Sequence, residues 1–297
     1  SYFYIAKTPA TGDFKTWTVY GEDAHNINSL SPRHGSVVKI TTEEYNRLLN
    51  NAYGITSSSF PATETLDEHL VGRYFTTTDP TYNAANGKND LTIVNGMSMN
   101  GDYMFDQIGY YGYYQGSNYA KINLNSLVPG GLNYDDGFTI TFTARVTGNA
   151  DSRFFAITNG SNTTNFAVNG SSSGAYVVNN NGTEKVHTTT ANFADGALHD
   201  FVISYANGNI IVYKDGELLL KKNRFNDGTM TKAWYDAISN GTLYIGALAD
   251  NSGVLVGGLA DFCIYDCSMS YYDVKTIQNE HDLEAGITGS GTISGYT

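Results

Sequence analysis

The sequence predicts a mainly β protein, an antiparallel sandwich or barrel preceded by a small α+β module. Three observations carry that prediction. From about residue 66 to 283 the chain is a succession of short strand-like segments broken by Gly, Asn and Asp. Such spacing marks sandwiches and barrels, whereas an alternating α/β fold would interleave helical periods. Residues 1–54 read differently and contain the best helical pattern in the chain. Finally, 297 residues with 41% hydrophobic and 15% charged content suffice for a sizeable core. Neutral polar residues must then cover much of the surface.

Taken in order, FYIAKT and KTWTVYG read as short strands around the turn PATGD, and SVVKI as a third. TTEEYNRLLNNAYG predicts a helix. Thr41 and Glu44 form a capping box, Tyr45, Leu48, Leu49 and Ala52 share a face, and Gly54 stops it. Residues 1–54 therefore form the small module. Residues 55–65, ITSSSFPATET, are a linker. The large domain spans 66–283. Its clear strands are FTITFTARV, RFFAITN, NFAVNG, AYVVNN, TLYIGALAD, LADFCIYD and the segment DFVISYANGNIIVYKDGELL, which turns at ANGN and again at KDGE. SMSYYDVKTIQNEH reads as a short helix after the last strand. The tail, residues 284–297, is glycine-rich.

The order of these blocks resembles the concanavalin A-like, laminin G-like jelly-roll family. HLVGRYF followed by NAANGKNDLTIVNG is similar to that family's opening strand and D-x-S-G-N-G-N-D-L block. YYGYYQGSNYAKINL, DGFTITFTARV, ALHDFVISYANGNIIVYKDGELL and TLYIGALADNSGVLVGGLADFCIYDCSMSYYDVKTIQNEH resemble its later blocks, in order. Two departures stand out: Lys88 interrupts the asparagine-rich block, and Thr143-Ala144 replaces a core tryptophan. The resemblance implies a two-sheet antiparallel jelly roll in which Tyr119 is structural. It also implies a strand, a turn at Gln115–Asn118 and a second strand.

Several chemistries find no support in the residues. The net charge of −12 disfavours nucleic acid and anionic membranes as partners. No apolar run is long enough for a transmembrane helix. A glucanase of this fold needs two carboxylates flanking the scissile bond, and no Glu-x-Asp-x-(x)-Glu strand motif occurs. The six histidines are scattered, and His199 matches a structural strand position of the family. No G-x-S-x-G, P-loop or H-E-x-x-H is present. Cys263 and Cys267 on one strand would lie about 13 Å apart, too far to bridge, and are expected as free thiols. The N-x-S/T triplets at Asn159, Asn162, Asn169, Asn181 and Asn240 read as turns.

Candidate binding residues come from two aromatic segments. The loop over 221–241 is long and holds Trp234, Tyr235 and Asp236, with Arg224, Asn226 and Asp227 nearby. These rings stack a sugar or cap the core, and the sequence leaves both readings open. The tyrosine-dense stretch YYGYYQGSNY supplies Tyr110, Tyr114 and Asn118, beside Gln115. Strand alternation divides its rings between two faces, so most are expected to be structural. The resemblance also implies a possible Ca2+ ion at a rim loop. Asp250 and Asn251 are the candidates, then Asp135 and Asp136, with metal-free Asx turns as the plainer reading.

The N-terminus, SYFYIAKTPATGDFKTW, lacks a signal-peptide pattern. An adhesion-type domain without an export signal suggests a non-enzymatic phage virion surface protein: a capsid decoration, head fibre or receptor-binding protein. It would be made in the host cytoplasm, bind host surface polysaccharide, and contact other virion proteins through residues 1–54, as a possible homo-oligomer. The alternatives are a purely structural capsid or tail subunit and a secreted bacterial carbohydrate-binding module.

Overall fold

The computed structural model describes residues 5–7, 18–20, 59, 64–101, 110–114, 117–128, 131–132, 136–146, 151–168, 173–206, 209–223 and 230–284. The expected helix over 41–54, most of the linker, and residues 285–297 lie outside them, as do Arg224, Asn226, Asp227, Gln115 and Asp135. The chain divides into Ser1–Arg47 and Leu48–Thr297. In the first unit β1 (Ile5–Lys7) and β2 (Thr18–Tyr20) pair antiparallel, where FYIAKT and KTWTVYG predict strands.

The second unit is a two-sheet antiparallel jelly roll. Numbered along the chain, sheet I holds β3 (Leu70–Tyr74), β7 (Ser98–Gly101), β8 (Tyr110–Tyr114), β10 (Phe138–Val146), β15 (Leu198–Ala206), β16 (Asn209–Lys214), β17 (Glu217–Asn223) and β19 (Gly257–Tyr265). Its order is β17-β16-β15-β10-β19-β8-β7, and β3 also pairs with β19. Sheet II holds β6 (Thr92–Val94), β9 (Tyr119–Asn123), β11 (Ser152–Asn159), β12 (Asn162–Val168), β13 (Ser173–Asn180), β14 (Thr183–Asn192) and β18 (Thr242–Ile245). It is ordered β14-β13-β12-β11-β18-β9-β6. Two short strands, β4 (Tyr82–Asn83) and β5 (Lys88–Asn89), form a hairpin at the rim. The hairpin turns use Asn181-Gly182 and Asp215-Gly216, each with two successive positive φ angles, the twist-compatible choice for two-residue loops. The expected turn at Gln115–Asn118 is a crossover: β8 belongs to sheet I and β9 to sheet II.

The period of two in β10 shows how the layers form. Phe138, Ile140, Phe142, Ala144 and Val146 join the core between the sheets, while Thr139, Thr141 and Thr143 face the opposite side. The Phe142 ring lies 5.2 Å from Phe154, 5.3 Å from Phe201 and 5.6 Å from Phe262 between centroids. Phe138 stacks on Tyr205 at 4.1 Å. The buried hydroxyls of Thr164, Tyr176 and Tyr205 are hydrogen-bonded in series, so these polar atoms enter the core with partners.

After β9 comes a single turn, α1 (Leu124–Leu127). Where a long loop is expected there is instead a helix, α2 (Lys232–Ser239). Thr231 caps it by accepting from the Trp234 N–H at 3.2 Å. Trp234 and Tyr235 are each 1% exposed. Trp234 Nε1 donates to the Asn179 carbonyl of sheet II at 3.0 Å, and the Tyr235 hydroxyl donates to the Asn209 carbonyl of sheet I. The helix thus ties the two sheets together at one end of the sandwich.

The expected final helix is α3 (Tyr271–Glu284). Ser270 and Asp273 cap each other at its start. Its Val274 and Ile277 enter a second apolar cluster with Val202, Ile211, Tyr213, Cys263, Cys267 and Met269. That cluster lies on the outer side of sheet I. Both cysteines are free and buried, as expected, although Cys267 falls beyond the end of β19 instead of sharing its strand. No helix among the described residues is long and apolar enough to cross a membrane.

Trp234→Ala is expected to destabilise the domain by about 3–5 kcal/mol, the range for deleting a large buried aromatic. Tyr235→Phe is expected to cost about 1 kcal/mol, one lost hydrogen bond. Urea unfolding of both variants checks the two values; a Trp234→Ala midpoint equal to wild type would rule out the tie between sheets.

Candidate functional site

The structure separates the residues that the sequence singles out. Trp234 and Tyr235 are core residues, and this corrects the expectation of a stacking surface: their rings offer no face to a ligand. The physical reason is helix α2, whose amphipathic turn points both rings inward. Asp236, on the other side of that helix, is exposed and paired with Lys232 at 2.9 Å. Tyr110 and Tyr114 lie on β8 of sheet I, opposite Gly101 and Gly257 respectively. Asn118 is buried at the crossover, next to Tyr119.

The rim block NAANGKND is a hydrogen-bond frame. Asn83 is fully buried. Its Oδ1 accepts from the Arg73 N–H at 2.9 Å and the Ala85 N–H at 3.0 Å, and its Nδ2 donates to Asp90 at 3.1 Å. Tyr74 donates to the same carboxylate at 2.7 Å. Burial first, and then the Asp90 carboxylate, push the Tyr74 phenol far above its usual range. Lys88, the departure in this block, is exposed, and it joins the frame only through its backbone N–H, which donates to Asn86 Oδ1 at 2.9 Å.

The two sheets differ in what covers them. The outer side of sheet I is overlaid by α3 along β15, β16 and β19. On the outer side of sheet II a row runs across strands from Lys121 through Tyr244, Ala156, Asn165 and Val177 to Val186. Alternate residues on the same strands (Leu243, Ile245, Phe155, Ile157, Phe166, Tyr176) belong to the core. The next row holds Arg153, Ala167, Ala175 and Thr188. Val186 is 53% exposed. Tyr244 is half-exposed, with its ring centroid 6.1 Å from Tyr119. Its accessible part therefore combines a half-buried aromatic ring with the Lys121 cation, while Asn165 Oδ1 and Arg153 Nε are shielded from solvent. A ring beside a cation can hold a polyhydroxylated ligand.

Arg153 and Asn165 give this face its polar interior. Arg153 comes from β11, which carries a bulge between Arg153 and Phe155; the bulge sends Phe154 and Phe155 both into the core and Arg153 outward. Its N–H is held by the Gly253 carbonyl at 2.9 Å. Burial pushes the guanidinium pKa down, against the raising influence of Asp151, Glu184 and Asp250. Asn165 is 6% exposed. Among the described residues, neither Arg153 Nε nor Asn165 Oδ1 has a hydrogen-bond partner.

The family model described as the concanavalin A-like lectin/glucanases superfamily matches residues 115–275, more than half of the chain. The chain belongs to this superfamily. No curated protein matches it in sequence. Among solved structures, the binding domain of botulinum neurotoxin DC, in complex with rat synaptotagmin II, is similar with a TM-score of 0.56 and 10% identity, covering 73% of this chain and 52% of that one. Domain 4 of AbnA, a GH43 extracellular arabinanase from Geobacillus stearothermophilus, in complex with arabinotriose, gives a TM-score of 0.55 and 12% identity over 70% of this chain and 98% of that one. The binding domain of Paraclostridial mosquitocidal protein 1 gives 0.53 and 12%, covering 73% and 53%. The match spans about half the length of the neurotoxin domain. These likenesses show the fold of the superfamily.

Of the calcium candidates among the described residues, Asp250 and Asn251 form a self-contained turn. Asp250 Oδ1 accepts from Ser252 N at 3.0 Å and from Ser252 Oγ at 2.6 Å, closing an Asx turn. Asn251 takes the left-handed conformation of that turn, with φ 63°. Among the described residues no three His, Cys, Asp or Glu side chains converge on a metal position. Asp136 lies at a turn whose carbonyl accepts from the Ser268 N–H.

His199 is likewise a structural member of this superfamily fold. Its Nδ1 meets Asp215 at 2.9 Å and its Nε2 meets Asp195 at 3.1 Å. Burial pulls the imidazole pKa down, but Asp215 and Asp195 outweigh it and the net shift is upward. Burial alone would raise Asp215; hydrogen bonds from His199, Lys214 and the Asp200 N–H bring it down to about 2. The raised histidine contributes stability that is full below its ordinary value of about 6.5 and is lost as pH climbs through the folded value. The depressed aspartate contributes above its ordinary value of about 3.9 and loses its contribution as pH falls towards 2. Wild-type stability is expected to peak between these limits. His199→Gln is expected to flatten the alkaline limb, as read by melting temperature from pH 4 to 9; an unchanged limb would refute the cluster's role.

Proposed function

We propose that the protein is a non-catalytic, lectin-like binding protein and that the outer face of sheet II around Tyr244 recognises surface polysaccharide. The observation that carries this reading is the half-buried Tyr244 ring on that face, directly opposite Lys121 on the neighbouring strand. Sugars present apolar C–H faces to aromatic rings and hydroxyls to amide and cationic groups. Solved neighbours add support at the level of the fold. One is a complex with arabinotriose, and another is of botulinum neurotoxin type C, whose cell entry depends on interaction with two ganglioside molecules.

The setting in which this face works is, in our reading, the surface of a phage particle. Two buried free thiols suit synthesis in a reducing cytoplasm. The division of the chain at Arg47 supports a small docking module and a separate displayed domain. Many copies on one particle would supply avidity to a weak single site.

Binding of purified protein to a panel of bacterial surface polysaccharides tests the site. Wild type is expected to bind at least one saturably, and Tyr244→Ala to weaken it about ten-fold at an unchanged melting temperature. A folded wild type that binds none of them, or a Tyr244→Ala variant with full affinity, would overturn the reading. Mass spectrometry of purified particles decides the setting.

A further inference from the structure

Lys121 of β9 lies on the outer side of sheet II, directly opposite Thr92 of β6 on one side and Tyr244 of β18 on the other. Directly opposed side chains have Cβ atoms about 4.5–5.5 Å apart, so the ammonium on its four-carbon stem and the phenol ring serve one surface. Thr92 is exposed, and Lys121 and Tyr244 are half-buried. The next outward pair on the same strands is Asn123, exposed, opposite Thr242, half-buried. All of these neighbours of Lys121 are uncharged.

Lys121 is placed unlike other cations of this chain. The sequence carries 29 acidic against 17 basic residues, so a carboxylate is the partner easiest to find. Arg73 pairs with Asp261, Lys214 with Asp215, Lys232 with Asp236 and Lys275 with Glu217. Lys88 and Lys185 are exposed, where water solvates the charge. Lys121 is half-buried and has no ion-pair, hydrogen-bond or ring partner among the described residues. A cation that gives up part of its hydration without a partner favours an anion beside it.

The complement of one ammonium next to one aromatic ring is a sugar ring with one negative charge at its edge. A hexuronic acid has that form: its C–H face meets the phenol, and its carboxylate stands at the margin of the ring, within reach of the lysine stem. A more heavily charged sugar fits less well. Lys121 offers one positive charge and the whole chain carries −12, so each further sulfate or phosphate group meets repulsion.

We infer that the face around Tyr244 is specific for acidic polysaccharides with one carboxylate per ring: the uronate rests on the accessible part of the Tyr244 ring and its carboxylate accepts from Lys121 Nζ. This rests on the reading of the face as a carbohydrate site and adds the substrate class.

Calorimetric titration of the full chain with tetramers of glucuronate, mannuronate and galacturonate, each as the free acid and as the methyl ester, tests it. The ester keeps the sugar and removes the charge. At least one free acid is expected to bind about ten-fold more tightly than its ester, the discrimination of one charge-assisted hydrogen bond, and the advantage is expected to shrink as salt rises. Lys121→Met keeps the apolar stem and should abolish the advantage at an unchanged melting temperature, whereas Lys121→Arg should retain it. Tyr244→Ala should weaken acid and ester alike. Equal binding of acid and ester, or an advantage that survives Lys121→Met, overturns the inference and leaves the carbohydrate reading standing. Tighter binding of dextran sulfate than of every uronate has the same meaning, as does binding of a neutral polysaccharide with no uronate tetramer bound. No binding to any glycan overturns both.

Discussion

The seam between the two sheets is the constraint on which the rest of the molecule depends. Phe142 lies at its centre, within ring contact of Phe154 and Phe166 from sheet II and of Phe201 and Phe262 from sheet I. Facing sheets must interdigitate at about 10 Å spacing, and bulky rings fill that space with few atoms of polar cost. At one end of the seam the rings become tyrosines and a tryptophan. There each polar tip finds a carbonyl or hydroxyl, so the plug is satisfied as well as apolar. The replacement of a family tryptophan by Thr143-Ala144 fits this picture. Ala144 joins the same buried core as the phenylalanines, and Thr143 donates to the Asp200 carboxylate at 2.5 Å.

With the seam filled, the two outer faces diverge. Sheet I acquires a second apolar layer from α3, fixed at its margin by Lys275 to Glu217 at 2.6 Å and by Gln278 to Asp200 at 3.1 Å. This explains why the outward threonines of β10 are buried. Among the described residues of sheet II no helix forms such a layer, and its outer positions mix Thr, Asn, Lys, Arg and Tyr with Ala and Val. A polar composition that looks unremarkable strand by strand becomes a continuous surface only when seven strands are laid side by side.

That difference also explains what was legible in the sequence. Alternation with glycine and asparagine turns identifies the strands β10, β11, β15, β16 and β19, because their inward residues are large and apolar. β14 escapes the same reading: TEKVHTTTAN is polar apart from Val186 and Ala191, as suits an edge strand with little of its length buried. Helix α2 escapes it because eight residues hold barely two turns, and Trp234, Tyr235 and Ile238 alone trace its inner face. Its signal is the threonine cap at Thr231 followed by aromatic residues on successive positions. The pairing of Lys121 with Tyr244 could not be read at all, because it depends on the register between β9 and β18.

Strand order carries one more consequence, for the birth of the chain. β19 is the last strand of the domain, yet it sits in the middle of sheet I, between β10 on one side and β8 and β3 on the other. On a ribosome the flanking strands emerge first and must wait, with open edges, for a partner more than a hundred residues behind β10. Long-range closure of this kind slows folding and leaves the waiting intermediate prone to association. A chain released before Gly257 would lack the spine of the sheet, so the domain assembles only once nearly all of it has been synthesised.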